Sequence, residues 1–420
     1  MLKQLILENW KSFRYAELPL DPLTVVIGTN ASGKSNVVEA LEFLQRIAQG
    51  ENIESALGGD KRLTSIRGGV EWAAFKPETK FRLKTLVKGE DDTTDYLYVI
   101  QIQILPEVKV IEEYIARQNS SENIEIDKES FFTVKNSFFP NKSGLTATDS
   151  RIDIRELMEF NQSENNKPLY KDVDFINILN NQYLPRINQV KDFVISSLKN
   201  ILILNPIPSN MRNYSPLSDS LESDASNIAG VLATLPEKDK TEVESNLSKY
   251  IKDLPEGDIQ KVWAEKVGKF ATDAMLYCEE KWKPDHITSI DARTMSDGTL
   301  RFIAILTALL TRPEGSQLVI EEIDNGLHPS RAELLVRILR EIGSKRKIDI
   351  LITTHNPALL DALGPEIVPF VVVAHRDSET GESKLTLLED IENLPLLLAS
   401  GTLGKLATKG AIEKSLSDNK

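Results

Sequence analysis

Cysteine is almost absent from this sequence of 420 residues. The single residue Cys278 excludes an internal disulfide and any metal site that needs two or more thiolates, as suits a reducing cytoplasm. Long apolar runs are absent as well, because the longest, 302–310, is interrupted by Thr307 and has less than half the length of a membrane span. Residues 1–13 lack the pattern of a signal peptide. We therefore expect a cytoplasmic protein without a membrane segment.

Basic residues are also fewer than acidic residues. The chain has 50 Lys and Arg against 63 Asp and Glu, a formal net charge of −13, which disfavours wrapping of a nucleic-acid backbone by general electrostatics. Contact with DNA would need a local basic patch. Apolar residues make up 41% of the chain, too many for a disordered protein, and the length allows two or three domains.

The N-terminal part of the chain, 1–105, has mixed α and β patterns. Short strands are predicted at 5–7 and 23–27, and a helix is predicted from Lys34 towards a stop at Gly50. The run 96–104 alternates as a half-buried antiparallel strand does. These patterns predict a mixed lobe rich in β structure.

The next segment, 106–198, is richer in Asn, Gln, Lys and Glu and has few long apolar faces. We predict an inserted α-rich subdomain there. The C-terminal part, 199–420, has predicted helices at 227–235 and 262–277 and becomes regular after residue 296. Its predicted elements are a helix at 299–310, a strand at 317–320, a helix at 330–342 and strands at 348–353 and 367–373. This alternation predicts an α/β lobe with parallel strands.

A glycine-rich segment follows the strand at 23–27 and opens the next helix. It comprises Gly28, Thr29, Asn30, Ala31, Ser32, Gly33, Lys34 and Ser35, followed by Asn36. The order matches the phosphate-binding loop G-x-x-x-x-G-K-[ST] in its strand-and-helix context. Backbone N–H groups and the helix N-terminus would hold phosphate, Lys34 would neutralise the outer phosphates, and the Ser35 hydroxyl would bind Mg²⁺. The segment predicts a site for ATP with Mg²⁺.

Two adjacent acids, Glu321 and Glu322, end the apolar strand at 317–320. The carboxyl ends of strands in an α/β sheet are where ligands bind. We expect Glu321 to hold Mg²⁺ through water and Glu322 to orient and deprotonate the attacking water. A solvated loop after a strand is the simpler interpretation of the pair when it is taken alone.

Two further segments are ambiguous by themselves. Ser296 and Gly298 precede an apolar helix, so they are typical of a helix cap, although Gly298 also leaves the backbone open to an anion. His355 lies where a strand ends and a helix begins, a position more often structural than catalytic.

Taken together, the order of these segments resembles the ABC-type ATPase heads of the SMC and RecF superfamily. The matching parts are the phosphate-binding loop 28–35, the signature segment 295–299, the acids 321–322, the segment 324–329 and His355. The opening segment 7–13 is similar to the first strand and turn of that family. The resemblance extends to the compact prokaryotic ATPases near RecF and the overcoming-lysogenisation family, many of which serve in anti-phage systems such as Septu.

The resemblance implies a P-loop NTPase of the ABC or SMC-head type. It implies an ATP-dependent homodimer in which Ser296 and Gly298 of one subunit close over the nucleotide of the other, with His355 as the switch histidine. The chain departs from the family's usual pattern at Glu321, where Asp is more common. It also lacks sustained heptads, which argues against a chromosome-tethering machine.

Three functions follow as hypotheses. The first is an ATP-hydrolysing dimeric switch that controls an effector in trans, expected to be a nuclease, in anti-phage defence; the acidic clusters of an appended nuclease domain are not seen before residue 420. The second is a RecF-like DNA repair or recombination ATPase, which intrinsic affinity for DNA would favour. The third is an ATP-binding oligomeric scaffold with little turnover, against which Glu322 argues.

Overall fold

The computed structural model describes residues 1–89, 91, 93–119, 131–132, 184–283, 286–326 and 328–418. The chain forms two compact units. The first comprises Met1–Leu20, Glu39–Ile201 and Glu382–Lys384, and the second comprises Asp21–Val38, Leu202–Gly381 and Leu385–Lys420.

The described strands, in chain order, are β1 (Leu2–Trp10), β2 (Phe13–Pro19), β3 (Leu23–Ile27), β4 (Lys80–Lys88), β5 (Thr94–Gln103), β6 (Lys109–Asn119), β7 (Phe131–Phe132), β8 (Ile201–Leu204), β9 (Ser215–Pro216), β10 (Ile259–Val267), β11 (Asp273–Lys283), β12 (His286–Asp291), β13 (Gln317–Ile320), β14 (Asp349–Thr353), β15 (Val371–Arg376) and β16 (Ser383–Leu387). The described α-helices are α1 (Lys34–Ala48), α2 (Ile53–Gly58), α3 (Leu184–Lys199), α4 (Pro208–Met211), α5 (Ile228–Thr234), α6 (Glu237–Lys252), α7 (Asp297–Thr311), α8 (Ala332–Arg346), α9 (Pro357–Leu363), α10 (Leu394–Ser400), α11 (Leu403–Thr408) and α12 (Ala411–Asp418).

The first unit is built on an antiparallel sheet in the order β2-β1-β4-β5-β6-β7. Alternation along β4 buries every second side chain, as a sheet with one solvated face requires. An aromatic cluster of Trp10, Phe43 and Phe81 fills the core on the buried side, with the rings of Trp10 and Phe81 packed edge to face at 4.9 Å.

The second unit contains a six-stranded sheet in the order β16-β15-β3-β14-β13-β8. Its four inner strands, β15, β3, β14 and β13, pair with one another in parallel. Their side chains are almost all buried, as expected for strands covered on both faces. The pairing of Thr353 with Val26, and of Ile352 with Ile320, brings the carboxyl ends of β3, β13 and β14 to one edge of the sheet.

Helix α7 crosses the core of the second unit. Its N-cap is Ser296, whose hydroxyl accepts a hydrogen bond from the Thr299 amide at 3.2 Å. Its interior residues are buried and apolar on nearly every face. The helix therefore has no polar face to orient it towards solvent, and packing determines its position. The helix ends before Pro313, which cannot continue it. A second sheet of this unit orders its strands β10-β11-β12, with β9 also paired to β11.

The structure confirms the predicted α/β fold with its parallel strands and corrects two elements. The helix predicted at 262–277 is wrong, because antiparallel pairing of β10 with β11 outweighs the helical spacing of the apolar residues there. The strand predicted at 367–373 begins only at Val371, because Pro365–Phe370 forms a 3-10 helix. Pro365 and Pro369 fix φ and remove two backbone donors that a strand would use. None of the helices in the described ranges is long and apolar enough to cross a membrane.

Strand pairing in the first unit runs past residue 106. β6 pairs with β5 along nearly its whole length, and α3 also belongs to this unit. The predicted inserted segment, 106–198, therefore includes two strands of the N-terminal sheet, β6 and β7. Most of the remainder, 120–130 and 133–183, lies outside the described residues, and its status as an insertion stays a prediction.

Candidate nucleotide-binding site

The loop 28–35 leaves β3, the inner strand of the parallel sheet, and leads into α1. Gly28 has φ +144°, and a Cβ there would lie 2.1 Å from the carbonyl oxygen of Ala374 on β15, so only glycine fits. The hydroxyl of Ser32 is buried and has no hydrogen-bond partner among the described residues. A buried polar atom without a partner fits a loop shaped for a phosphate group.

Lys34 lies folded back onto the loop that precedes it. Its ammonium donates to the carbonyl oxygens of Gly28 at 2.7 Å and Thr29 at 3.0 Å. Burial lowers the pKa of Lys34, and the nearby carboxylates of Glu322 and Glu321 oppose that shift. The ammonium is therefore held at the mouth of the loop by carbonyl contacts that a phosphate oxygen can replace.

Ser35 and Glu321 meet although they are far apart in the sequence. The Ser35 hydroxyl donates directly to a carboxylate oxygen of Glu321. Two oxygen donors that converge in this way are the donor set that Mg²⁺ prefers, and the metal would supply charge neutralisation for the phosphates. The longer side chain of Glu321 reaches Ser35, so its departure from the usual Asp is compatible with a shared cation.

Glu322 occupies a strained backbone position. Its φ is +47°, in the left-handed region that residues other than glycine rarely adopt. The Glu322 amide donates to the Thr353 hydroxyl at 2.8 Å, and its carbonyl accepts from the Asn325 amide at 2.8 Å. The side chain is exposed, and backbone strain of this kind concentrates at functional sites.

The loops after β13 and β14 are tied to each other. The Thr354 hydroxyl donates to the carboxylate of Asp324, and the Thr354 amide donates to the carbonyl of Val26 at 3.2 Å. His355 follows with an exposed side chain that makes no hydrogen bond within the described part of the chain. The structure therefore places His355 at the same sheet edge, and it does not show a contact for the ring. Of the segment 324–329, Leu327 lies outside the described residues.

The predicted signature segment lies at the N-terminus of α7. Ser296 and Asp297 are exposed there, and Arg212 donates to the Met295 carbonyl at 2.8 Å and to Asp297 at 2.6 Å. Gly298 faces the loop that follows Glu322, because a Cβ at this position would lie 2.8 Å from the carbonyl oxygen of Gly326. Ser296 and Gly298 thus lie beside the 324–326 loop, and within the described ranges they make no hydrogen bond to the phosphate-binding loop of their own chain.

Sequence reasoning missed Arg376. This residue ends β15, and its guanidinium donates to the carbonyl of Ala31 at 2.9 Å, at the tip of the phosphate-binding loop where φ is +62°. No local motif marks the residue, because it joins the site only through the pairing of β15 with β3. The order of strands in the sheet is the signal that identifies it.

We expect Arg376→Ala to raise the Kd for Mg-ATP by about three- to tenfold, since one hydrogen bond to a charged group holds the strained tip of the loop. Isothermal titration with Mg-ATP measures the change. Arg340→Ala is the matched control, because that half-buried arginine also donates to a backbone carbonyl, that of Leu363, away from the loop. An unchanged Kd for Arg376→Ala would show that the loop keeps its shape without the guanidinium.

These features define the class of the protein. The protein is a P-loop ATPase of α/β fold with the motif order of an ABC-type head. Three features show this: the phosphate-binding loop after an inner parallel strand, the Ser35–Glu321 pair beside Lys34, and the capped apolar helix α7. The chain belongs to the family described as "AAA domain, putative AbiEii toxin, Type IV TA system", which matches residues 23–361.

A curated relative comes from Helicobacter pylori. This protein, named "ATP/GTP phosphatase", is 22% identical over 375 residues, which cover 86% of this chain and 87% of the relative.

Among solved structures, the chain is similar to an SMC head bound to the C-terminal winged-helix domain of ScpA. The TM-score is 0.48 at 13% identity, with 92% of this chain and 96% of that chain covered. The SMC head domain from Thermotoga maritima gives a TM-score of 0.42 at 13% identity, with 92% and 98% covered.

Proposed function

We propose that the chain is an ATP-hydrolysing switch that acts as a dimer, with two composite sites formed between its subunits. The observation that carries the proposal is the convergence of Lys34, Ser35, Glu321 and Glu322 on one edge of the parallel sheet. The relative named "ATP/GTP phosphatase" supports hydrolysis of a nucleoside triphosphate.

Each of these residues has a separate role in hydrolysis. Lys34 leaves its carbonyl partners to bind the outer phosphates, and Ser35 with Glu321 holds the Mg²⁺ that accompanies ATP. Glu322 orients a water molecule and accepts its proton as the oxygen attacks the terminal phosphate. His355, exposed at the same edge, is a candidate to contact that phosphate.

The second half of each site comes from the partner subunit. Ser296 is exposed at the N-terminus of α7, a place suited to an anion, and Gly298 lies beside it. Among the described residues, neither makes a hydrogen bond to the phosphate-binding loop of its own chain. Closure of the dimer would bring them to the terminal phosphate bound by the other chain. ATP binding and subunit closure are then one event.

Ser296→Arg should leave ATP binding by each subunit intact and abolish most hydrolysis, because the bulky side chain blocks closure. Lys34→Ala should fail to bind ATP. A dimer of one chain of each kind retains one complete site, so it should recover up to half of the wild-type rate. Co-expression with two different tags, purification of the mixed dimer and measurement of phosphate release test this.

The outcome distinguishes two arrangements. Recovery in the mixed dimer requires that the signature segment act on the partner's nucleotide. Wild-type hydrolysis by Ser296→Arg alone would exclude any role for the segment, and a purified mixed dimer without activity would contradict the composite site.

The switch controls an effector protein encoded separately, a nuclease, in defence against phage. The family description, which names a putative toxin of a type IV toxin–antitoxin system, supports a role in a system of two components. The neighbouring reading frame provides the test: an adjacent nuclease whose cleavage depends on Glu322 supports the proposal. Intrinsic binding of the purified chain to DNA ends or gaps would instead favour a repair ATPase.

A further inference from the structure

Arg331 has a guanidinium that is buried and only partly paired. The residue is 7% exposed and lies at the end of the short 3-10 helix Pro329–Arg331, just before α8. Its Nε and Nη2 atoms bind the carboxylate of Glu256, at 3.1 Å and 3.0 Å. Its Nη1 atom has no hydrogen-bond partner in the described part of the chain. Buried donors without a partner are rare and costly, so this atom calls for an explanation.

The unpaired Nη1 atom points at the signature segment. A Cβ on Gly298 would lie 3.0 Å from Nη1 and 2.8 Å from the carbonyl oxygen of Gly326, so both atoms flank the same glycine. Gly326 itself has φ +71°, a conformation from which its peptide groups can turn with little steric cost. The guanidinium, Gly298 and the 324–326 loop therefore meet at one point.

We propose that Arg331 is a positioning residue that holds the signature segment against the 324–326 loop when the dimer closes over ATP. The Gly326 carbonyl then turns onto Nη1, so the unpaired donor gains its acceptor in the closed state. Glu256 orients the guanidinium for this step. This inference rests on the composite site proposed above, and it adds a residue that no sequence motif marks.

Electrostatics keep Arg331 in place. Burial by itself would raise the pKa of Glu256, but hydrogen bonds from its own backbone amide and from Arg331 lower that pKa overall, so the carboxylate remains charged. A charged carboxylate fixes two of the three guanidinium nitrogens and leaves Nη1 directed at Gly298. The Arg331–Glu256 pair thus fixes the direction of Nη1, which has no partner among the described residues.

Arg331→Gln should lower kcat for ATP hydrolysis by about tenfold or more, and leave the Kd for Mg-ATP within about twofold, because the phosphate-binding loop is untouched. Arg331→Lys should regain part of the rate, since an ammonium can still pair with Glu256. Arg337→Gln is the matched control, because this exposed arginine of α8 also binds a carboxylate, that of Asp253 at 2.6 Å, and should keep the wild-type rate.

Mixed dimers locate the defect. Arg331→Gln paired with Lys34→Ala should recover activity, because the complete site then takes its signature segment from the chain with a wild-type Arg331. The role of Arg331 would be overturned, and the composite site kept, if this mixed dimer stayed inactive while the mixed dimer of Ser296→Arg and Lys34→Ala recovered activity. Failure of both mixtures would overturn the composite site and this inference with it.

If Arg331→Gln does not fold, a second variant still tests the proposal. Glu256→Gln removes the anchor of the guanidinium while its own side chain is only partly buried. It should reduce kcat by about two- to fivefold, without a change in the Kd for Mg-ATP. A wild-type kcat for Glu256→Gln, together with a wild-type kcat for Arg331→Lys, would contradict the proposal.

Discussion

Lys34→Ala is expected to weaken the binding of Mg-ATP by about 10- to 100-fold or more. Charge-assisted hydrogen bonds are worth about 1.5–3 kcal/mol each, and the variant loses the ammonium that lies against the Gly28 and Thr29 carbonyls of the loop. The phosphates would then face backbone donors and the acids Glu321 and Glu322. Isothermal titration measures the affinity directly.

Thermal unfolding offers a second measurement of the same effect. A bound ligand raises the Tm in proportion to the logarithm of its concentration over Kd, so Mg-ATP should stabilise the wild type and leave Lys34→Ala nearly unchanged. Lys345→Ala, which removes an exposed lysine of α8, is the control and should respond as the wild type does. An equal rise in Tm for Lys34→Ala would show that ATP does not bind at this loop.

Glu322→Gln is expected to slow hydrolysis by about 100-fold or more and to keep ATP bound. The amide has the shape of the carboxylate but cannot accept a proton from water. ATP should therefore trap the closed dimer, which size-exclusion chromatography with light scattering detects as a stable dimer peak that ADP does not produce.

Glu321→Gln is the paired control. It removes the negative charge of the carboxylate that meets Ser35, so it should raise the Mg²⁺ concentration needed for half-maximal hydrolysis. Normal turnover by Glu322→Gln, with loss of turnover only in Glu321→Gln, would reverse the roles assigned to the two acids.

Backbone strain at Glu322 supplies an independent check on this position. Because φ is +47°, Glu322→Gly should raise the Tm slightly while hydrolysis is lost. That combination is typical of a residue kept for activity at some expense of stability.

Local patterns in the sequence were sufficient for the elements that depend on neighbouring residues. The strands 23–27 and 317–320 and helix α7 were predicted correctly, because their apolar runs and caps act within a few residues. The strand predicted at 367–373 was wrong at its start, since two prolines outweighed an apolar run.

The sequence by itself determined that the chain is a P-loop ATPase of α/β fold, because the motif 28–35 and the alternation of strands and helices are read from short segments. The tertiary structure decided which distant residues share the site. Ser35 meets Glu321 across 286 positions, and Ala31 meets Arg376 across 345. Such contacts follow from the order in which parallel strands pair, and that order depends on packing of the whole sheet. For the same reason only the fold shows the unpaired Arg331 donor beside Gly298.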